Sequence, residues 1–122
     1  MPTDVPCVAI RQWRTVDPAL RRDPVFTDLV CKGLDDDDYR ALQITLLLRP
    51  EQGSVIRGSG GLRKIRWSAE GRGKRGGLRV IYFWRKANST CYLLFLYQKN
   101  EQGDLSATQI RMLARLVREE FR

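Results

Sequence analysis

The sequence predicts an α+β fold: an antiparallel sheet of about four strands, with two N-terminal helices and one C-terminal helix packed on it. Segments of helical period lie in the first half of the chain and at its C-terminus. Between them, three consecutive strand-like segments are separated by turn residues. A chain of 122 residues suits one domain with a core of its own, and we expect that domain to span residues 1–122.

The first third of the chain predicts a strand and a short helix. Residues 7–13 are mostly apolar and favour an opening strand. Asp23-Pro24 combines an N-cap acceptor with a proline that suits the first helical position. Three apolar residues then follow at the spacing of one helix face: Phe26, Leu29 and Val30.

A second helix is predicted directly after the acidic run at residues 35–38. Carboxylates at a helix N-terminus are stabilised by the macrodipole and by the free N–H groups of the first turn. We therefore interpret the run as a cap and not as a metal site. Tyr39, Leu42 and Leu46 lie on one face of this helix, which we expect to end before Pro50.

In the middle of the chain the period changes from helical to extended. The predicted elements are a short extended segment at 54–57, a glycine-rich turn at 58–61, a strand at 62–67, a glycine-rich hairpin loop at 70–77, and strands at 78–84 and 91–97. The strand at 78–84 is apolar on both faces and should therefore be central. Alternation puts Lys64 and Arg66 on one face of their strand.

The C-terminal helix has the best local signals. Ser106 and Gln109 form an S-x-x-Q capping box, and Leu105 can pack onto Ile110 as a hydrophobic staple. An apolar stripe should pack this helix on the sheet, made by Ile110, Leu113, Ala114, Val117 and Phe121.

The positive charge of the chain is concentrated in its middle. The formal net charge is +8, and residues 51–86 hold ten Lys and Arg against two Asp and Glu, whereas residues 1–50 hold seven against eight. Such a local excess is typical of a surface that binds a polyanion, because each neutralised phosphate releases counterions. Nucleic acid is therefore the predicted partner class, and a merely solvated basic face is the alternative.

Several classes of function are excluded by composition. The chain has no histidine, so it has no Ser-His-Asp triad and no His-ligated metal centre. Three widely spaced cysteines do not suggest a disulfide framework or a zinc site, and we expect them to be reduced: Cys7, Cys31 and Cys91. No apolar run is long enough to span a bilayer, and the N-terminus has no signal-peptide core. We expect a soluble cytoplasmic protein with no membrane partner, no metal and no cofactor.

Four cations are predicted to meet on one face of the sheet. They are Lys64 and Arg66 on one strand, Arg79 on the next and Lys99 at the end of the third. Neighbouring strands lie about 5 Å apart, so these long side chains can converge on one phosphate. Arg79 interrupts an apolar strand, where an unpaired charge is costly unless it lines a cleft. Other cations near this face should bind RNA phosphates without chemistry: Arg57, Arg63, Arg72, Lys74 and Arg75.

Such a cluster can support RNA cleavage without histidine. When the 2′-hydroxyl attacks the neighbouring phosphate, the protein must remove a proton, stabilise phosphorane charge and protonate the leaving oxygen. Arginines stabilise the charge. A lysine amine is a poor base at its usual pKa of about 10.4, but nearby cations lower that pKa toward neutrality.

The motifs that resemble a known family lie between Gly58 and Leu105. They are G-S-G-G-L-R-K-I-R-W at 58–67, G-R-G-K-R-G-G at 71–77, R-V-I-Y at 79–82, K-N-E at 99–101 and D-L at 104–105. Together with the order of the predicted elements, they closely resemble the HigB branch of the RelE toxin superfamily. The resemblance runs from about Leu42 to the C-terminus.

The resemblance implies a ribosome-dependent mRNA endonuclease that inhibits translation and is held inactive by a cognate antitoxin. The ribosome, mRNA and an antitoxin, expected to be a helix-turn-helix protein, are the implied partners. Lys64 and Arg66 match the basic pair that includes the general base, and Arg79 matches the arginine that stabilises the transition state. Lys99 matches a basic position beside a further catalytic arginine.

Two departures from the family pattern leave other interpretations open. Asn100 stands where the family has that further arginine, and Ser106 stands near the expected position of a stacking tyrosine. Tyr97 is our candidate for stacking instead. The alternatives are a noncatalytic module that binds RNA or the ribosome, and a degenerate toxin that acts mainly as an antitoxin partner.

Overall fold

A computed structural model describes residues 14–17, 19–22, 26, 28–29, 36–67, 77–99 and 102–120. The predicted strand at 7–13 lies outside them. The elements are β1 (Arg14–Asp17), β2 (Leu20–Arg22), α1 (Asp36–Leu48), β3 (Ser54–Val55), β4 (Leu62–Trp67), β5 (Leu78–Arg85), a 3-10 turn (Lys86–Asn88), β6 (Thr90–Gln98) and α2 (Ala107–Glu120). Phe26, Asp28 and Leu29 are helical, in agreement with the predicted short helix.

The described residues form one mixed sheet of six strands in the order β1-β2-β6-β5-β4-β3. The prediction of about four antiparallel strands was therefore wrong in two respects. The β1–β2 hairpin adds two strands beside β6, and β2 runs parallel to β6, with Leu20 opposite Cys91. These added strands have only three and four residues, so they are too short to show a period in the sequence.

The central three strands follow the prediction. β5 lies between β4 and β6 and is antiparallel to both. Its first five residues are buried, as expected of a central strand that is apolar on both faces.

Hydrophobic clusters cover both faces of the sheet. On one face, Leu42 and Leu46 of α1 pack with Val80 and Tyr82 of β5. On the other face, a second cluster includes Ile81 of β5. Alternate residues of β5 point to opposite faces, so the described residues build a helix–sheet–helix stack.

The second cluster is where α2 joins the sheet. Val117 of α2 is buried in it beside Leu94 of β6. The predicted apolar stripe of α2 is confirmed for its described members; Phe121 lies outside the described residues.

The predicted end of α1 and the predicted start of α2 are confirmed, whereas α1 starts earlier than predicted. α1 begins at Asp36, inside the acidic run and not directly after it, and it ends two residues before Pro50. In α2 the capping box is formed: Gln109 N–H donates to Ser106 Oγ at 3.1 Å, and Ser106 N–H donates to Gln109 Oε1 at 2.9 Å. No helix in the described part of the chain is long and apolar enough to cross a membrane.

The segment between α1 and β4 is fixed by one tyrosine. Tyr82 donates its hydroxyl to Pro50 O at 2.7 Å and accepts the Gly53 N–H at 2.9 Å. From there the chain enters the turn before β4, where Gly58 and Gly60 have positive φ values of 71° and 79°, a conformation that glycine adopts without strain. This turn forms one end of the sheet surface described next.

Candidate nucleic-acid interface

A row of three polar side chains crosses the sheet on the face that carries α2. Arg66 of β4 is directly opposite Arg79 of β5, and Arg79 is directly opposite Tyr97 of β6. Directly opposite residues in neighbouring strands have Cβ atoms about 5 Å apart, so the two guanidinium groups and the phenol can reach one ligand. The register thus brings together the two arginines that the sequence singled out.

Arg79 is the unusual member of this row. Only 8% of its surface is exposed, whereas its neighbour Arg66 is exposed. No ion pair involves Arg79 among the residues that the structure describes. A buried cation is costly without a compensating anion, so Arg79 is a site where an anionic ligand would be stabilised.

Asp104 lies in the connection between β6 and α2 and contacts two residues of the site, Lys64 and Tyr97. Its Oδ1 accepts a hydrogen bond from Lys64 Nζ at 3.1 Å, a second from the Leu105 N–H at 2.9 Å and a long third from the Tyr97 hydroxyl at 3.5 Å. The side chains of Asp104 and Lys64 are 71% and 32% exposed, so solvent reaches this ion pair. Lys64 therefore has a carboxylate partner, which the sequence did not indicate.

The electrostatics of Asp104 and Tyr97 follow from these contacts. The hydrogen bonds from the Leu105 N–H and from Lys64 lower the pKa of Asp104 below its usual value. Burial is the main cause that raises the pKa of Tyr97; the Asp104 charge raises it further and the Arg79 charge opposes the rise. The site in the free protein thus holds a carboxylate that stays ionised and a phenol that stays protonated.

The Tyr97 ring is buried in this conformation. The residue is 5% exposed and lies in the cluster beneath α2, with Leu105 and Val117. A base would have to displace that packing to stack on the ring. Tyr97 contacts the site through its hydroxyl, which donates to Asp104, and its stacking role stays a prediction.

The remaining predicted site residues are Lys99, Arg57 and the cations of the glycine-rich loop. The Lys99 side chain is exposed just past β6, and its N–H donates to Gly77 O at 3.1 Å, two residues from Arg79. Arg57 is exposed in the turn before β4. The loop cations Arg72, Lys74 and Arg75, as well as Asn100, lie outside the described residues.

Arg63 is not brought into the cluster. Its Nη1 donates to Glu51 O at 2.9 Å and to Gly53 O at 2.8 Å, which ties it to the segment after α1. Alternation along β4 points it away from Lys64. Its guanidinium group thus supports the edge of the sheet.

The sequence analysis missed Asp104. The aspartate lies 40 residues from Lys64, and only the strand register brings the two together. Its position two residues before the N-cap Ser106 is the one local signal, because acids are favoured near a helix N-terminus.

The arrangement can bind a phosphodiester and stabilise negative charge that develops on it. Among the described residues, no group of three or more Cys, Asp and Glu is placed to hold a metal ion. A family model described as the RelE toxin of the RelE/RelB toxin–antitoxin system matches residues 48–121, a range that includes every residue of this site.

Proposed function

The chain belongs to the RelE toxin family, and from that premise we propose that it is a ribosome-dependent mRNA endonuclease that inhibits translation in the bacterial cytoplasm. A cognate antitoxin is the partner that family membership implies, and we propose that it is a helix-turn-helix protein. The motifs between Gly58 and Leu105 favour the HigB branch. The observation that carries the proposal is buried Arg79 between Arg66 and the Tyr97 hydroxyl.

In the proposed reaction a 2′-oxygen bonds to the adjacent phosphorus as the P–O5′ bond breaks, which leaves a 2′,3′-cyclic phosphate. The proton of the 2′-hydroxyl passes to a general base, and water protonates the leaving 5′-oxygen to give a 5′-hydroxyl. Arg66 and Arg79 hold the non-bridging oxygens and stabilise the charge of the phosphorane. Arg79 is the stronger of the two, because it is shielded from water and its donors need no reorganisation. Lys99, at the rim, binds the neighbouring phosphate.

Lys64 is the proposed general base, and Asp104 regulates it. In the free protein Lys64 Nζ is held by the Asp104 carboxylate at 3.1 Å. We propose that the scissile phosphate replaces Asp104 beside Lys64 and that Asp104 turns toward solvent. Its 71% exposure makes that movement inexpensive. Lys64 then lies beside the bound phosphate, on the same face of β4 as Arg66.

Primer extension on mRNA from a translating cell-free system tests this proposal. Wild type should give new 5′ ends within translated codons, and Arg79→Ala should reduce them at least 100-fold. Arg85→Ala is the matched control, because Arg85 lies on the same strand six residues away, and it should cleave like wild type. Circular dichroism shows whether Arg79→Ala is folded, and Arg79→Gln, which keeps much of the stem, is the second variant. Equal cleavage by wild type and both Arg79 variants contradicts the proposal.

A noncatalytic RNA- or ribosome-binding module is the second candidate. The observation that favours it is the Lys64–Asp104 ion pair, in which a carboxylate already occupies the base candidate. This function predicts that translation stops while the mRNA stays intact. The same primer-extension experiment separates the two, since stalled ribosomes with no new 5′ ends favour binding without cleavage.

A further inference from the structure

A basic groove lies between α2 and the turn before β4. Its volume is about 540 Å³. The turn contributes Gly58, and α2 contributes Thr108, Met112 and three arginines, Arg111, Arg115 and Arg118. No acidic residue lines the groove among the described residues.

The three arginines form one stripe along α2. Their spacing of four and three residues puts them on the same helix face, turned away from Val117, which packs on the sheet. At 1.5 Å per residue the stripe is about 10 Å long. All three side chains are exposed, so they can bind a ligand without unpacking the core.

Few contacts among the residues that the structure describes use these charges. Arg115 pairs with Glu119 at 3.2 Å, and both side chains are more than 60% exposed, so water competes with the pair. Arg111 donates to the neutral Thr108 hydroxyl at 3.3 Å. An amphipathic helix needs polar residues on its outer face, but it does not need three arginines beside an open groove.

The floor of the groove is open to close approach. A Cβ added at Gly58 would meet no atom within 4 Å, so nothing fills the space in front of this glycine. The next-door residue, Arg57, is exposed. The turn thus carries an exposed cation, Arg57, next along the chain to the glycine that lines the groove.

The helix that carries the arginine stripe begins beside the candidate site along the chain. Asp104, which binds Lys64, precedes the first residue of α2 by three positions, and Thr108, which lines the groove, lies in the first turn. The candidate site and the groove are thus joined by one short stretch of chain.

We propose that this groove binds the phosphodiester backbone of single-stranded RNA where the strand leaves the Lys64–Arg66–Arg79 cluster. Each of the three arginines contacts a phosphate, without reading base sequence. The inference extends the proposed function to a second surface. It depends on RNA binding and not on cleavage, so either can fail alone.

The test measures RNA binding by fluorescence anisotropy at NaCl concentrations from 0.05 to 1 M. The probe is a fluorescein-labelled 2′-O-methyl polyuridylate of 20 nucleotides, which cannot be cleaved because it has no free 2′-hydroxyl. The variant is Arg111→Gln/Arg115→Gln/Arg118→Gln. The charge-matched control is Arg40→Gln/Arg49→Gln/Lys86→Gln, which also lowers the net charge from +8 to +5 but changes exposed residues outside the groove.

Three lost phosphate contacts should reduce the slope of log K against log salt by about 2, at about 0.7 per contact. If the proteins bind equally at 1 M, the groove variant should bind about 100-fold more weakly at 0.1 M, and the control should stay close to wild type. Each single Arg→Gln variant should lower the slope by about 0.7, which provides a readout if the triple variant does not fold.

Equal slopes for the groove variant and the control overturn the proposal. It is also overturned if RNA binding is unchanged and the groove variant loses affinity only for a labelled polyglutamate peptide, because the groove would then fit an acidic protein partner.

Discussion

Asp104 holds Lys64 by a single 3.1 Å contact across the α2 face of the sheet, with an oxygen that also accepts the Leu105 N–H and the Tyr97 hydroxyl. The chain thus supplies an anion to its own cationic cluster. This arrangement makes the aspartate a competitor of RNA phosphate, and the first prediction follows from it.

Asp104→Asn should bind RNA more tightly than wild type. Removing one anion beside Lys64 should raise affinity about two- to fivefold, which corresponds to 0.5–1 kcal/mol for an exposed pair. Anisotropy with the uncleavable RNA measures it. Glu51→Gln, which removes another exposed carboxylate, is the control and should change affinity less. Weaker binding by Asp104→Asn would show that the carboxylate supports the RNA site instead of competing with RNA for it.

The Asp104 carboxylate should also make the stability of the fold depend on pH, and the same variant tests this. The pKa of Asp104 is lowered in the folded protein from its usual 3.8, so the charged carboxylate stabilises the fold above that value. The contribution is lost as the pH falls through the lowered pKa. Wild type should therefore exceed Asp104→Asn in melting temperature at pH 7, and the difference should shrink as the pH falls below 3.8 and through the lowered pKa. A difference that is constant from pH 7 to pH 2.5 contradicts the assignment.

Arg79→Leu should stabilise the protein while abolishing activity. Replacing a buried cation by an apolar side chain of similar size removes a desolvation cost, and we expect a gain of about 1 kcal/mol in the free energy of unfolding. Arg63→Leu is the contrasting control, because Arg63 donates to two carbonyl oxygens, and its loss should cost about 1–3 kcal/mol. Urea denaturation measures both. Loss of stability in Arg79→Leu would assign Arg79 a structural role.

Gly53→Ala should destabilise the fold by about 1–3 kcal/mol. A Cβ at this position would lie 2.8 Å from the Tyr82 hydroxyl and 3.0 Å from Lys64 O, so the Tyr82 hydrogen bonds to this segment would be disturbed. Gly103→Ala is the matched control, since its added Cβ meets nothing within 4 Å. Thermal unfolding of the two variants should differ by several degrees, and equal melting temperatures would be inconsistent with this packing.

Cys91 should be unreactive in the folded protein. The thiol is buried, and burial raises its pKa to about 12, so about one thiol in ten thousand is ionised at pH 8. In a Cys7→Ser/Cys31→Ser background, iodoacetamide should label Cys91 only after urea is added. Mass spectrometry before and after denaturation reads this out, and rapid labelling of the native protein contradicts it.

Sequence reasoning succeeded where the signal was local or periodic. The α2 capping box needs only Ser106 and Gln109, and the central position of β5 follows from a long apolar run. It failed for β1 and β2, which have only four and three residues and therefore show no period. It also missed the Lys64–Asp104 pair, because that contact depends on three strands adopting their register first.

Tyr97 shows a further limit. An aromatic residue near the end of a strand fits either a stacking surface or a core, and the alternation that decides between them is altered in β6. The β5–β6 register shifts between Ile81 and Tyr82, so Leu94 and Tyr97 both join the cluster under α2 although they are three residues apart. Burial of the Tyr97 ring was therefore not predictable from a period of two.

The parallel pairing of β2 with β6 affects how the nascent chain can fold. Leu20 is paired with Cys91, so β2 leaves the ribosome about 70 residues before the strand that it needs. Such a distant contact cannot form until β6 has been translated, and contacts of this kind slow folding. The hydrophobic cluster on the α2 face of the sheet likewise cannot form until α2 has been translated. The sheet that carries the Arg66–Arg79–Tyr97 row therefore assembles only after β6 has been translated, although β2 has emerged long before.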